Sequence, residues 1–182
     1  MPPAFKHLLA PTYTFDRVEG IDLESWWAAG LRGMILDVDD TLTLKNSALV
    51  APPVQAWLKQ ARQIGFHCYI VSNNRYPRHI ARVAEALEME GLAQARKPFP
   101  PGFLQALEAM QLPPEQVVVI GDRLLTDILG GAWLGMQTCL VAPVTTQPKA
   151  LKRLLYGFEK GLSRLAGARR PEVSPPPDIQ TD

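Results

Sequence analysis

Two cysteines, three histidines and a formal net charge of +1 are sparse for a chain of 182 residues, and each shortage narrows the functions open to it. Nineteen basic residues against eighteen acidic ones leave no global field that would draw in nucleic acid. Cys68 and Cys139 both fall in apolar, strand-like runs, which predicts two buried free thiols rather than a disulfide and suits a reducing cytoplasm. His7, His67 and His79 share no ligand spacing, and only His79, just past a polar loop, stands where it could line a site. No window of about 18 apolar residues occurs, and the start lacks a basic region followed by an apolar stretch. Neither a membrane span nor a signal peptide is therefore expected. The location expected is cytoplasmic, with peripheral membrane contact left open. There are no internal repeats, and the length suits one domain with a full core.

What the chain does have is a short apolar run, Met34-Ile35-Leu36, that stops at three carboxylates in four residues: Asp37, Asp39 and Asp40. Like charges this close repel, and burying them unpaired costs several kcal/mol. A hard cation such as Mg²⁺, which favours carboxylate, carbonyl and water oxygens, is the simplest counter-charge. A solvated acidic turn is the bland alternative, and the rest of the chain decides against it.

Apolar segments alternate in kind along the sequence. Strands are expected over 34–36, 66–71, 117–120 and 138–141. Helices are expected over 54–64, around 77–87, around 103–110 and over 124–134, with Gly65 and Gly135 as stops. Residues 43–53 carry no strong pattern. A short helix over 23–29, capped by Asp22 and closed by Gly30, precedes the first strand, and Trp26 and Trp27 read as core packing. This alternation predicts an α/β fold with a doubly wound, Rossmann-like parallel sheet, whose ligand crevice lies beyond the carboxyl ends of the strands. The expected organisation is a lead-in segment over 1–30, the core over 31–145, a basic amphipathic helix over 146–166 and a disordered tail over 167–182. In the 148–166 stretch, Leu151, Leu154, Leu155 and Phe158 separate from Lys149, Lys152, Arg153 and Lys160 at helical spacing. Such a helix can lie on an anionic membrane or pack on its own domain.

Polar groups follow the expected strands in turn. Asp37, Asp39 and Thr41 form DxDxT, and Ser72-Asn73-Asn74 follows the second strand. Lys97 precedes Pro98, and Asp122 and Asp127 form GDxxxxD. Each alone is weak: a Ser after a strand is usually a cap, and a Lys before Pro is usually solvated. In this order they resemble the motifs of the haloacid dehalogenase (HAD) superfamily of phosphohydrolases. SNN, KPFPPGF and GDRLLTDILGGAWLGM look like the YqeG-type branch of subfamily IIIA, which is similar to phosphatidylglycerophosphate phosphatases.

That resemblance implies a Mg²⁺-dependent phosphatase in which Asp37 is the nucleophile and Asp39 the acid and base. Lys97, Thr41, Ser72 and Asn73 would stabilise the phosphoryl group. Asp37, Asp39 (through its carbonyl) and Asp122 would ligate the metal, with Asp127 behind them or reaching it through water. The intervals between motifs leave no room for a large cap domain, so the site should lie open. The implied partner is a phosphate monoester, a phospholipid head group foremost, with a peripheral membrane and no nucleic acid. Three rivals stand beside this reading. One is a phosphatase of a soluble sugar phosphate or nucleotide. The second is a binding module that kept the fold and lost turnover, although such a module has no need of Asp39. The third is a phosphorylated receiver domain, which takes its accepting Asp from a later strand that this chain does not supply in context.

Overall fold

The computed structural model describes residues 8–45 and 47–144. The expected helix over 146–166 and tail over 167–182 lie outside the described residues. A parallel sheet of six strands organises the rest, built from β1 (Tyr13–Phe15), β2 (Gly33–Leu36), β3 (His67–Val71), β4 (Glu90–Leu92), β5 (Val117–Gly121) and β6 (Gln137–Val141). Their order across the sheet is β1-β6-β5-β2-β3-β4, with every neighbouring pair parallel. From β2 the chain winds outward through β3 to β4, then crosses to β5 and winds the other way. A topological switch point thus falls between β2 and β5, where the loops leaving the two strands diverge and open a crevice.

The helices are α1 (Leu23–Ala28), α2 (Pro52–Ile64), α3 (Pro77–Ala86), α4 (Pro100–Met110) and α5 (Leu129–Trp133). Alternation along β2 and β5 divides the core between the two faces of the sheet. Met34, Leu36, Val118 and Ile120 pack with Trp26, Leu58, Ile80 and Val83, which come from α1, α2 and α3. Ile35, Val117 and Val119 face the other way, onto Phe103, Ala106, Leu107 and Met110 of α4. Covering both faces explains why these strands read as continuous apolar runs. Asp22 caps α1 by accepting from the Ser25 amide at 3.1 Å, and Gly65 closes α2 at φ 117°. Trp26 is buried against Tyr13, and Trp27 lies edge-on to Phe66 with the Arg32 guanidinium 3.9 Å over its ring. Both tryptophans belong to the packing. Cys68 and Cys139 are free thiols, and burial pushes the Cys68 thiol up to about 12.

Two strands and one helical turn differ from the sequence expectation. β1 and β4 are the edge strands, three residues each, too short for a periodicity to register. The expected helix over 124–134 opens as a π-helical turn, Leu124–Ile128, before α5. Among the described residues no large cap interrupts the core, and no helix is long and apolar enough to cross a membrane.

α5 reaches its place through close contact. A Cβ at Gly130 would fall on the Phe103 ring and 3.0 Å from the Pro98 carbonyl oxygen. Phe103 is wholly buried and cannot yield. Gly130→Ala should therefore destabilise the domain, because overpacking of about 1–3 kcal/mol exceeds the roughly 1 kcal/mol gained from helix propensity. The urea midpoint of the variant is the check, and it should fall.

Candidate active site

Register brings the expected residues together. Leu36 pairs with Ile120 on one side and Ile70 on the other, so Asp37, Gly121 and Val71 stand level at the carboxyl edge. Asp37 continues the ladder by donating its amide to the Ile120 carbonyl at 3.0 Å. Beyond it the chain wraps around one acceptor, as the amides of Thr41, Leu42 and Thr43 all point to the Val38 carbonyl at 3.0–3.2 Å. Asp40 takes φ 64°, a left-handed position that Asp tolerates better than most residues, and this tightens the turn. A short Asx-containing turn thus replaces the strand and leaves the Asp37 and Asp39 side chains facing a common cavity.

That cavity, of about 380 Å³, is lined by Asp37, Asp39, Ser72, Asn73, Lys97 and Asp127 among the expected residues. Lys97 lies at its base, almost wholly buried, and its ammonium holds two carboxylates: Asp37 Oδ1 at 2.7 Å and Asp127 Oδ1 at 2.6 Å. Burial alone would lower the Lys97 pKa, but the two carboxylates outweigh it and raise the value, so the lysine stays charged. Its backbone is fixed from across the site: Asn73 Nδ2 donates to the Lys97 carbonyl at 2.9 Å, and Asn73 Oδ1 accepts from the Lys97 amide at 2.7 Å. The Asn73 side chain, expected at the phosphoryl group, is engaged in this clamp. Ser72 Oγ accepts from the Asn74 amide at 3.1 Å, and Asn74 Nδ2 donates to Asp39 Oδ2 at 2.8 Å. Thr41 Oγ1 is buried and has no hydrogen-bond partner among the described residues. His79 is half-buried on α3 and does not line the cavity.

GDxxxxD has a local physical basis. The π-helical turn returns Asp127 toward the end of β5, where its Oδ2 accepts from the Arg123 amide at 3.2 Å. There the Asp127 side chain fills the space beside Gly121, and any Cβ at that position would collide with it. Oxygens of Asp37, Asp122 and Asp127 all come within 4.8 Å of one another. Asp127, expected behind the others, is thus part of the same carboxylate cluster.

The electrostatics are unbalanced. Burial, with Asp127 as a lesser cause, raises Asp37 to about 6 against the pull of Lys97. Burial, followed by the charges of Asp37 and Asp127, raises Asp122 to about 7. Asp122 Oδ1 accepts no hydrogen bond and faces Arg123 Nε only at 3.9 Å. Three clustered carboxylates, two of them on one ammonium and the third with an unused oxygen, fit a hard divalent cation bound through oxygen.

Sequence reasoning missed part of the lining: Lys45, Asn74, Arg75, Tyr76, Arg123 and Thr126. Asn74 had a signal, since it sits in the SNN loop. The others are ordinary surface types whose value appears only when the loops are placed side by side.

Parallel strands with a carboxylate cluster and a buried lysine at one edge define an α/β domain for phosphoryl chemistry. A family described as HAD-hydrolase-like matches residues 94–161. Over 130 residues the chain is 37% identical to "Probable phosphatase YqeG" of Bacillus subtilis (strain 168), covering 71% of this chain and 75% of that one. It is 34% identical over 152 residues to "Phosphatidylglycerophosphate phosphatase 1, chloroplastic" of Chlamydomonas reinhardtii, covering 79% of this chain. It spans only about half of that algal protein, 54% of its length. A cobalt-bound deoxy-D-mannose-octulosonate 8-phosphate phosphatase of Haemophilus influenzae shares the fold, with a TM-score of 0.50 at 16% identity over 62% of this chain and 68% of that one. The chain belongs to the HAD-like hydrolase family and is a phosphatase of that family.

Two predictions test this geometry. Gly121→Ala should push Asp127 away from Lys97 and weaken divalent-cation binding about tenfold or more, measured by calorimetric titration, with the circular dichroism spectrum kept. The second concerns pH. Folded Asp37 and Asp122 carry raised pKa values, so between about pH 4 and 7 the native state binds more protons than the unfolded one. Stability of the chelated protein should therefore fall as pH rises through that window. Asp122→Asn should flatten the fall and raise the thermal midpoint at pH 7 in chelator, whereas adding divalent cation should stabilise only the parent chain.

Proposed function

We propose that this phosphatase is Mg²⁺-dependent and hydrolyses phosphatidylglycerophosphate to phosphatidylglycerol through an aspartyl-phosphate on Asp37. The observation that carries the reading is the Asp37 carboxylate at the base of an open cavity, with Oδ1 held by buried Lys97 and Asp39 beside it. Lys97 fixes one oxygen of Asp37, and the other attacks phosphorus as the P–O bond to the alcohol breaks. Asp39, oriented by Asn74, gives its proton to the leaving alkoxide. It then takes a proton from the water that attacks phosphorus and breaks the acyl-phosphate bond, restoring the Asp37 carboxylate. Lys97, the Ser72 hydroxyl and the unpartnered Thr41 hydroxyl neutralise charge on the equatorial oxygens. Asn73 acts through Lys97 by fixing its main chain.

Asp37, Asp122 and the Asp39 main-chain carbonyl would hold Mg²⁺, with Asp127 behind them. Bound there, the cation would supply a Lewis acid for the phosphoryl oxygens. The unused Oδ1 of Asp122 supports its place next to the metal, while Asp127 is already held by Lys97 and the Arg123 amide.

Two observations support a lipid phosphate as substrate. The algal relative bears the name of a phosphatidylglycerophosphate phosphatase, and among the described residues no large cap closes the cavity over a small molecule. The test is a panel of phosphatidylglycerophosphate, sugar phosphates and nucleotides, each with Mg²⁺ and with chelator. Preference for a soluble metabolite would move the substrate class while leaving the chemistry in place. Asp37→Asn should abolish turnover and the binding of beryllofluoride as a phosphoryl analogue. Asp39→Asn should lower kcat by about 10²–10⁴-fold yet retain Mg²⁺ binding. Near-parental turnover in Asp37→Asn would defeat the mechanism.

A further inference from the structure

Seven large apolar side chains are exposed among the described residues. Scattered singly they would mean little, since folded surfaces carry many apolar atoms. Five of them are not scattered. Leu44 and Leu49 follow β2, Tyr76 follows β3, Phe99 follows β4 and Leu125 follows β5. Because these four strands run parallel, their loops leave the same edge of the sheet, the edge that holds the cavity. Leu44 adjoins Lys45, Tyr76 is itself part of the lining, and Leu125 lies between Arg123 and Thr126, so the apolar groups stand around the mouth. The antiparallel bridge between Thr43 and Val50 folds the first loop back on itself. Leu44 and Leu49 flank that bridge and are both exposed, the latter 80%.

Charge follows the same division. On residues 37–51, 72–79, 93–100 and 122–128 every exposed charged side chain is basic: Lys45, Arg75, Arg78, Arg96 and Arg123. The acids of these loops are buried or half-buried within the site. The opposite edge of the sheet exposes Glu88, Glu90 and Glu115 instead. Among the described residues the four loops around the cavity are thus basic where they are exposed, while the loop after β1 adds the exposed Asp16 and Glu19 to the same edge.

We propose that the loop rim around the cavity is a docking surface for an anionic phospholipid bilayer. Leu44, Leu49, Phe99 and Leu125 enter the head-group boundary, while the arginines and Lys45 meet lipid phosphates. Docked this way, the cavity opens directly onto the lipid plane, so a head-group phosphate reaches Asp37 without leaving the bilayer. The inference rests on the lipid-phosphate reading of the site and gives it a route of delivery through described residues, independent of the stretch after 144.

The test uses the full chain with vesicles of phosphatidylcholine, with and without phosphatidylglycerol, in a co-sedimentation assay. The double variant Leu44→Ser/Leu49→Ser is compared with Arg78→Glu, and turnover of para-nitrophenyl phosphate in solution serves as the control for fold and chemistry. Expected is binding that requires phosphatidylglycerol and weakens at high salt. The double variant should bind roughly tenfold or more weakly, and Arg78→Glu several-fold more weakly, with soluble turnover unchanged. Unchanged vesicle binding in both variants, or no binding by the parent chain, overturns the proposal. So does a parent chain that dimerises in solution and loses dimerisation, rather than vesicle binding, in the double variant. A chain that binds vesicles through Leu44 and Leu49 yet does not hydrolyse phosphatidylglycerophosphate would remove the substrate reading and leave the docking surface standing.

Discussion

The site depends on one buried ammonium. Lys97 brings a positive charge to a place where burial would normally expel it, and it stays charged because Asp37 and Asp127 close on it from two strands. Breaking a buried ion pair by deleting one partner costs about 3–5 kcal/mol, because the survivor is left charged and unpaired. The loops after β2, β4 and β5 are therefore tied to a common point, and Asn73 ties the loop after β3 to the same lysine through its backbone. Conformation and chemistry share these contacts. A variant that removes Lys97 would confuse lost folding with lost chemistry, whereas an isosteric change at Asp39 leaves the pairing of Lys97 with Asp37 and Asp127 in place.

The same arrangement stores an imbalance. One ammonium offsets only part of the charge of Asp37, Asp122 and Asp127, and burial first, then the neighbouring carboxylates, raise Asp37 and Asp122. Without a cation, the cluster pulls against the fold as pH rises, and a bound divalent ion turns that repulsion into cohesion. A carboxylate cluster suited to a divalent ion is in this sense a local weakness of the domain without one. Gly121 shows how closely the cluster is packed, since a single methyl group there would displace Asp127.

Much of this was legible in the chain itself, for a physical reason. A parallel sheet covered on both faces needs continuous apolar strands, so 34–36, 66–71 and 117–120 announced themselves, and their ends delivered Asp37, Ser72 and Asp122 to one edge. Less legible were features that need neighbours to exist. β1 and β4 carry too few residues for a pattern, and each is recruited by pairing with a stronger strand. The π-helical turn at Leu124–Ile128 follows from where Asp127 must reach, not from local propensity. Asn73 looked like a phosphoryl ligand because it follows Ser72, yet its partner is 24 residues away on the Lys97 main chain. Lys45, Arg75 and Arg123 are unremarkable as residue types and become a group only when four loops meet.

That last group bears on how an uncapped phosphatase chooses its substrate. An inserted cap selects by enclosing the substrate, and this domain has no large one among its described residues. The rim around the cavity is of two kinds, cationic side chains and exposed apolar ones, drawn from the same loops that hold the carboxylate cluster. A small, fully hydrated phosphate ester would use the cations and leave the apolar groups in water. An amphiphile at an interface would use both, with its phosphate facing Lys97 and its surroundings covering Leu44 and Leu49. Because the strands are parallel, the fold places the two requirements on one edge without a further domain. With no large cap among the described residues, the proposed bilayer docking would supply the missing wall.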